Sequence, residues 1–169
     1  MVGTGLGTVE TMAISALADA PEQDVLALNN AHAAELSWLE PDDLRHLIAE
    51  AFYAEAVDGC DAFLIAFDQG ADYASPNFQW FRARYPRFVY VDRVVVSPVA
   101  RGRGLARTLY HDLFDRAAAA GHTIVTCEVN AEPPNPASDA FHAALGFLVV
   151  GSAAIHDGKK TVRYFSRDL

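Results

Sequence analysis

Apolar and polar positions along this chain recur with two different periods, and the switches between them predict the elements. Met12 to Leu17 reads as a short first strand. Asp19-Ala-Pro21-Glu22 is an acidic start with proline just inside a helix, and the helical spacing continues through Val25, Leu28 and His32. Pro41 interrupts, and Asp42 is placed to cap a second helix through Leu44, Leu47 and Ile48. Ala51 to Val57 and Ala62 to Phe67 read as two strands of an antiparallel hairpin around Asp58-Gly59, a pair favoured in tight turns.

A long β-branched run, Phe88 to Val96, is the fourth predicted strand. It breaks into a glycine-rich basic turn and a helix from Gly104 to about Ala120, which Gly121 stops. Thr123 to Val129 is a fifth strand, parallel to the fourth because a helix crosses over between them. Pro133-Pro134-Asn135 caps a final helix, and Leu148 to Ala154 with Thr161 to Phe165 close a hairpin around Asp157-Gly158. The order is β-α-α-β-β-β-α-β-α-β-β, a mixed α/β fold with a central parallel pair.

Composition narrows the class. With 169 residues, 51% of them hydrophobic and 21% charged, the chain fits one globular domain with an ample core. Met1 to Thr11 reads as a flexible leader without the basic start and long apolar stretch of a signal peptide, so residues 12–169 form the domain and the cytoplasm is the default location. No apolar run approaches the ~20 residues that span a bilayer, so no membrane partner is expected. The net charge of −9 argues against nucleic acid. Cys60 and Cys127 stand apart, without metal-site or disulfide spacing, and read as buried thiols; no metal is expected.

Against this acidic background, arginines concentrate in residues 82 to 107. In Val96-Ser-Pro-Val-Ala-Arg101-Gly-Arg-Gly-Leu-Ala-Arg107, strand, bare-backbone turn and helix start make an anion cradle. Arg101, Arg103 and Arg107 add full charges. A dinucleotide-binding turn would need its third glycine where Arg107 stands, and a Walker loop needs Gly-Lys-Ser/Thr, which the chain lacks. The plain alternative is a helix start whose glycines only turn the chain.

Arg101-Gly-Arg-Gly104-Leu-Ala106 resembles the R/Q-x-x-G-x-G/A signature of the GNAT superfamily of acyl-CoA-dependent N-acetyltransferases. Asn135-Pro-Ala-Ser138-Asp-Ala-Phe-His142-Ala-Ala-Leu-Gly146-Phe147 resembles that superfamily's C-terminal motif, at the right separation. The resemblance implies N-acetyl transfer from acetyl-CoA to a primary amine by direct attack in a ternary complex. It implies cofactor contacts from Arg101, Gly102, Arg103, Gly104, Leu105 and Ala106 to a pyrophosphate. Val94, Val95 and Val96 would pair with the pantetheine arm, and Asn130, Asn135 and Ser138 would lie along it. It also admits a homodimer.

Two proton tasks accompany such a transfer, since the amine must lose a proton and the thiolate benefits from a donor. The family's usual acid is a tyrosine at the position held here by His142, an imidazole able to titrate near neutrality. For the base, Asp92 comes first and Glu128 on the parallel neighbour second. Strand alternation puts Asp92 and Val94 on one face. Ala71 to Arg87 is a long aromatic loop, and its Tyr73 and Trp80, with Trp38 and Glu35 from between the first two helices, would line the acceptor. The competing class is an acyl-CoA-binding module or sensor without catalysis, suggested by the absent tyrosine at position 142; thioester hydrolysis or transfer to an oxygen is a third possibility.

Overall fold

The computed structural model describes residues 12–169; the leader expected at residues 1–11 lies outside the described residues. One mixed sheet of seven strands runs through it: β1 (Ile14–Ala16), β2 (Tyr53–Val57), β3 (Ala62–Asp68), β4 (Val89–Val96), β5 (Ile124–Glu132), β6 (Leu148–Ile155) and β7 (Lys160–Asp168), in the spatial order β1-β2-β3-β4-β5-β7-β6. Among the described strands only β4 and β5 are parallel; every other neighbouring pair is antiparallel. The predicted mixed fold with its central parallel pair is the observed one.

Helices cover both faces, as a sheet with two apolar sides requires. α1 (Glu22–Ala31), α2 (Pro41–Glu50) and α3 (Pro76–Arg82) bury Val25, Leu44, Leu47, Phe78 and Phe81 against one face. On the other, α4 (Leu105–Ala119) lays down Leu105, Leu109, Leu113 and Ala117, one residue per turn, and α5 (Pro136–Ala144) leads into Leu145 and Phe147. Each such leucine or phenylalanine, fully buried, contributes about 1.5–3 kcal/mol.

Three expectations change in detail. α2 starts two residues earlier than Asp42 suggested: Pro41 takes the first helical position, where no N–H is needed, and the Asp43 carboxylate accepts the N–H of Glu40 at 2.9 Å. The aromatic segment between β3 and β4 is not a loop throughout, since Pro76 starts α3 and Phe78 and Phe81 seal it to the core. Cys127 is buried as expected, but Cys60 is only half-buried.

The feature that makes a site is a β-bulge. Ile65 on β3 faces Arg93 and its neighbour Ala66 faces Val91, so Asp92 is an extra residue without a partner. Beyond it the alternation of β4 is inverted. Val89 and Val91 pack under α4 before the bulge, and Val94 and Val96 do so after it. Asp92 and Val94 therefore point to opposite faces, contrary to simple alternation. The parallel ladder to β5 also ends here, pairing only Val89 with Val125 and Tyr90 with Thr126 before the strands part.

Candidate active site

The splayed strands open a cleft whose wall includes Val91, Asp92, Arg93 and Val94 from β4 and Cys127, Glu128, Val129 and Asn130 from β5. At one end of β4 lies the glycine turn. Gly102 and Gly104 hold φ of 81° and 71°, the left-handed region that a Cβ disfavours, and a Cβ built on either would meet nothing within 4 Å. No backbone N–H from Arg101 to Arg107 finds an acceptor among the described residues. Those donors, with the positive end of the fifteen-residue α4 behind them, form an open anion cradle.

The arginines of the turn do not act alike. Arg103 points away from the cradle, donating to Asp61 and Asp58 at 2.8 Å each, so of the predicted charges only Arg101 and Arg107 stay clear of ion pairs among the described residues. Arg101 borders a recess formed by Val94, Val95 and Val96 with His32, Glu35 and Leu36. Leu105 is buried under α4 as its anchor, while Ala106 stands at the helix start. At the cleft's other wall, Asn135 caps α5 by accepting the Ser138 N–H at 3.2 Å, which leaves its amide hydrogens free to face the cleft. Asn130 and Ser138 line the same wall.

On the α1–α3 face, two buried carboxylates sit in different circumstances. Both Asp92 oxygens are committed, one to the Tyr73 hydroxyl at 2.5 Å and the other to Arg93 Nε at 2.7 Å, with both side chains of that ion pair about 95% buried at 4% and 5% exposure. Arg93 in turn donates to Asn29 Oδ1 and Ser37 Oγ, tying β4 to α1 and the segment after it. Glu128 accepts one hydrogen bond, from the Tyr90 hydroxyl at 2.7 Å, and its other oxygen has no partner among the described residues. Burial pushes the Glu128 carboxyl up to about 7, against the opposing pull of the Tyr90 hydrogen bond.

His142 is placed differently from what a proton donor requires. Its Nδ1 lies 2.8 Å from the Ser138 carbonyl, which can only accept, so Nδ1 carries the ring proton. Nε2 therefore accepts from the Tyr110 hydroxyl at 2.7 Å. Burial also lowers the imidazole's pKa, favouring the neutral ring. Both nitrogens are occupied, and the residue that His142 holds in the cleft wall is Tyr110.

Of the aromatic residues expected around the acceptor, Tyr73 lines the cleft's mouth together with Glu35, and Trp38 borders an adjoining recess while 62% exposed. Trp80 lies elsewhere: it stacks on Tyr164 at 4.1 Å between ring centres, under Arg84 and over Gly151, and clasps α3 to the β6–β7 hairpin. Arg93, Tyr90, Tyr110 and Lys160 are wall or support residues absent from the sequence-derived set. Only the adjacency of Arg93 to Asp92 could have signalled one of them.

Residues 25–147 match the family described as "Acetyltransferase (GNAT) family", and the chain belongs to that family. Over 66 residues it is 41% identical to the L-2,4-diaminobutyric acid acetyltransferase of Nocardia farcinica, a match covering 39% of this chain and 33% of that protein. The chain thus aligns with about a third of that relative's length. Among solved structures it is similar to the ribosomal-protein-S18-alanine N-acetyltransferase from Escherichia coli, with a TM-score of 0.64, 17% identity and 94% of each chain covered. NAA60 of Arabidopsis thaliana, solved in complex with acetyl-CoA, gives a TM-score of 0.69 at 14% identity, covering 94% of this chain and 99% of that one. At those identities the likeness shows the fold. No helix among the described residues is long and apolar enough to cross a membrane.

Proposed function

We propose that this protein transfers an acetyl group from acetyl-CoA to a primary amine, with both substrates held together in the β4–β5 cleft. The observation that carries this reading is the run of unengaged N–H groups from Arg101 to Arg107, opening beside a cleft that holds a half-free carboxylate of raised pKa. Acetyl-CoA supplies an electrophilic thioester carbonyl and a thiol leaving group.

The turn binds the pyrophosphate through Arg101, Gly102, Arg103, Gly104, Leu105 and Ala106, with the Arg103 backbone contributing and its guanidinium not. The unpaired edge of β4 at Val94, Val95 and Val96 receives the pantetheine arm as an added strand and directs an N–H to the carbonyl oxygen. Asn130, Asn135 and Ser138 flank it.

Glu128 takes the proton of the incoming ammonium through its free oxygen, ahead of Asp92, whose two oxygens are already occupied. Asp92 instead positions Tyr73 and Arg93. On the opposite face Tyr110, kept protonated by burial, gives its one hydroxyl proton to His142 and stands as a fixed wall of the cleft, so the departing sulfur leaves as the thiolate and takes its proton from solvent. Glu35, Trp38 and Tyr73 border the amine's entrance.

The test is release of CoA thiol from acetyl-CoA across a panel of primary amines, beginning with short diamino acids such as the one named for the Nocardia relative. Release that requires an amine, with intersecting initial-rate patterns, is expected. Release without amine would make the protein a thioester hydrolase, and tight binding without release would make it a sensor.

A further inference from the structure

Lys160 opens β7 and shares a face with Val162 and Tyr164, which pack into the core beneath α1 to α3. Tyr164 pairs directly across from Glu128, so Lys160 projects on the side where that carboxylate stands. It borders both the inner cleft and the outer recess. The walls common to the two are Glu35, Leu36, Asp92, Arg93, Glu128 and Lys160.

Two of these residues are cations, and they differ. Every nitrogen of Arg93 has a protein partner: Asp92, Asn29 and Ser37. Lys160 forms no hydrogen bond and no ion pair among the described residues, although it is half-buried. Its charge is felt by Glu128 from beyond ion-pair distance, so the ammonium's hydrogen-bond donors remain open to a ligand that brings an acceptor into the recess. The recess also carries Glu35 at its rim, so charges of both signs face the same small space.

We infer that Lys160 is an anchor for a carboxylate on the acceptor, and that the acceptor is a small amine bearing its own carboxylate, an amino acid. This rests on the N-acetyl transfer reading. The acceptor's ammonium is drawn toward Glu128 and Glu35, and its carboxylate pairs with Lys160 at the recess both share. A polyamine would leave Lys160 unpaired and repelled. A protein's internal lysine side chain has no carboxylate to offer.

Acceptors that differ by the carboxylate alone test this: ornithine against putrescine, lysine against cadaverine, and diaminobutyric acid against diaminopropane. Thiol release is followed for wild type, Lys160→Met and Lys160→Arg, with thermal melts to establish folding. Wild type should favour the amino acid of each pair. In Lys160→Met the ratio of kcat/KM between amino acid and diamine should fall about 10- to 100-fold, chiefly through KM, and Lys160→Arg should recover most of it. A ratio unchanged in Lys160→Met, or a wild-type preference for the diamines, would overturn the inference while leaving acetyl transfer intact. Thiol release with none of these amines, nor with the wider panel, would refute acetyl transfer itself and the inference with it.

Discussion

The two ends of the cleft are built from different materials. The end proposed for the donor is backbone: a turn with two left-handed glycines, a helix start and a strand edge, where the groups on offer are N–H donors any residue carries. The end proposed for the acceptor is side chains drawn from many elements: Glu128 from β5, Asp92 and Arg93 from a bulge in β4, Tyr73 from the segment before α3, Lys160 from β7. A backbone site recognises what all acyl-CoA molecules share. A side-chain site can differ from one protein of this fold to the next, and on this reading specificity is set there.

Substitutions can separate the two ends. The largest effect is expected from Glu128→Gln, which should lower kcat/KM by about 10²- to 10⁴-fold while leaving acetyl-CoA affinity within about twofold. Because the base acts ionised, the wild-type rate should climb as pH rises through about 7, and that limb should vanish in the variant. Stability runs the other way. Between the ordinary carboxyl value of 4.5 and about 7 the folded protein keeps a proton that the unfolded chain has lost. The stability Glu128 contributes is therefore full below about 4.5 and is lost as pH rises through 7, and denaturation of wild type against Glu128→Gln at several pH values should show it.

Arg93→Leu should cost about 3–5 kcal/mol in denaturant unfolding, since it strands Asp92 as a buried charge and unties α1 from β4. A smaller loss of about 1–3 kcal/mol is expected for Gly151→Ala, whose Cβ would lie 2.5 Å from the Trp80 ring. Loosening that clasp should raise the acceptor's KM more than the donor's, because Tyr164 beneath Trp80 backs the strand position opposite Glu128. The smallest effect separates side chain from backbone within the cradle. Arg103→Ala should change acetyl-CoA affinity by less than about twofold and leave stability nearly unchanged, for its guanidinium is occupied by Asp58 and Asp61 at the surface.

This division also explains what could be read from the chain before its structure. Glycines at 102 and 104 are visible as letters, and the period of Leu105, Leu109 and Leu113 announces the helix behind them. The order of elements followed from such patterns, with α3 overlooked because seven residues crowded with aromatics show no clear helical stripe. The bulge at Asp92 left no trace. In Val89-Tyr-Val-Asp-Arg-Val-Val-Val96 both faces of the strand are largely buried, so apolar residues stand at odd and even positions alike and an inverted alternation looks like an uninterrupted one. The pairing of Tyr110 with His142 joins residues 32 apart across two helices, and the stacking of Trp80 on Tyr164 spans more of the chain. Such contacts depend on tertiary placement, which spacing along a sequence does not encode.

Everything proposed for this protein depends on the glycine turn binding the donor. Calorimetric titration with acetyl-CoA, and with CoA alone, of wild type and Gly104→Glu tests it most directly. The new side chain enters open space, and its left-handed backbone costs about 1–2 kcal/mol, so the variant should stay folded while presenting bulk and negative charge to the pyrophosphate. Micromolar binding of both ligands to wild type, lost in folded Gly104→Glu, is the predicted result. Equal affinity in the two proteins, or none in folded wild type, would contradict it.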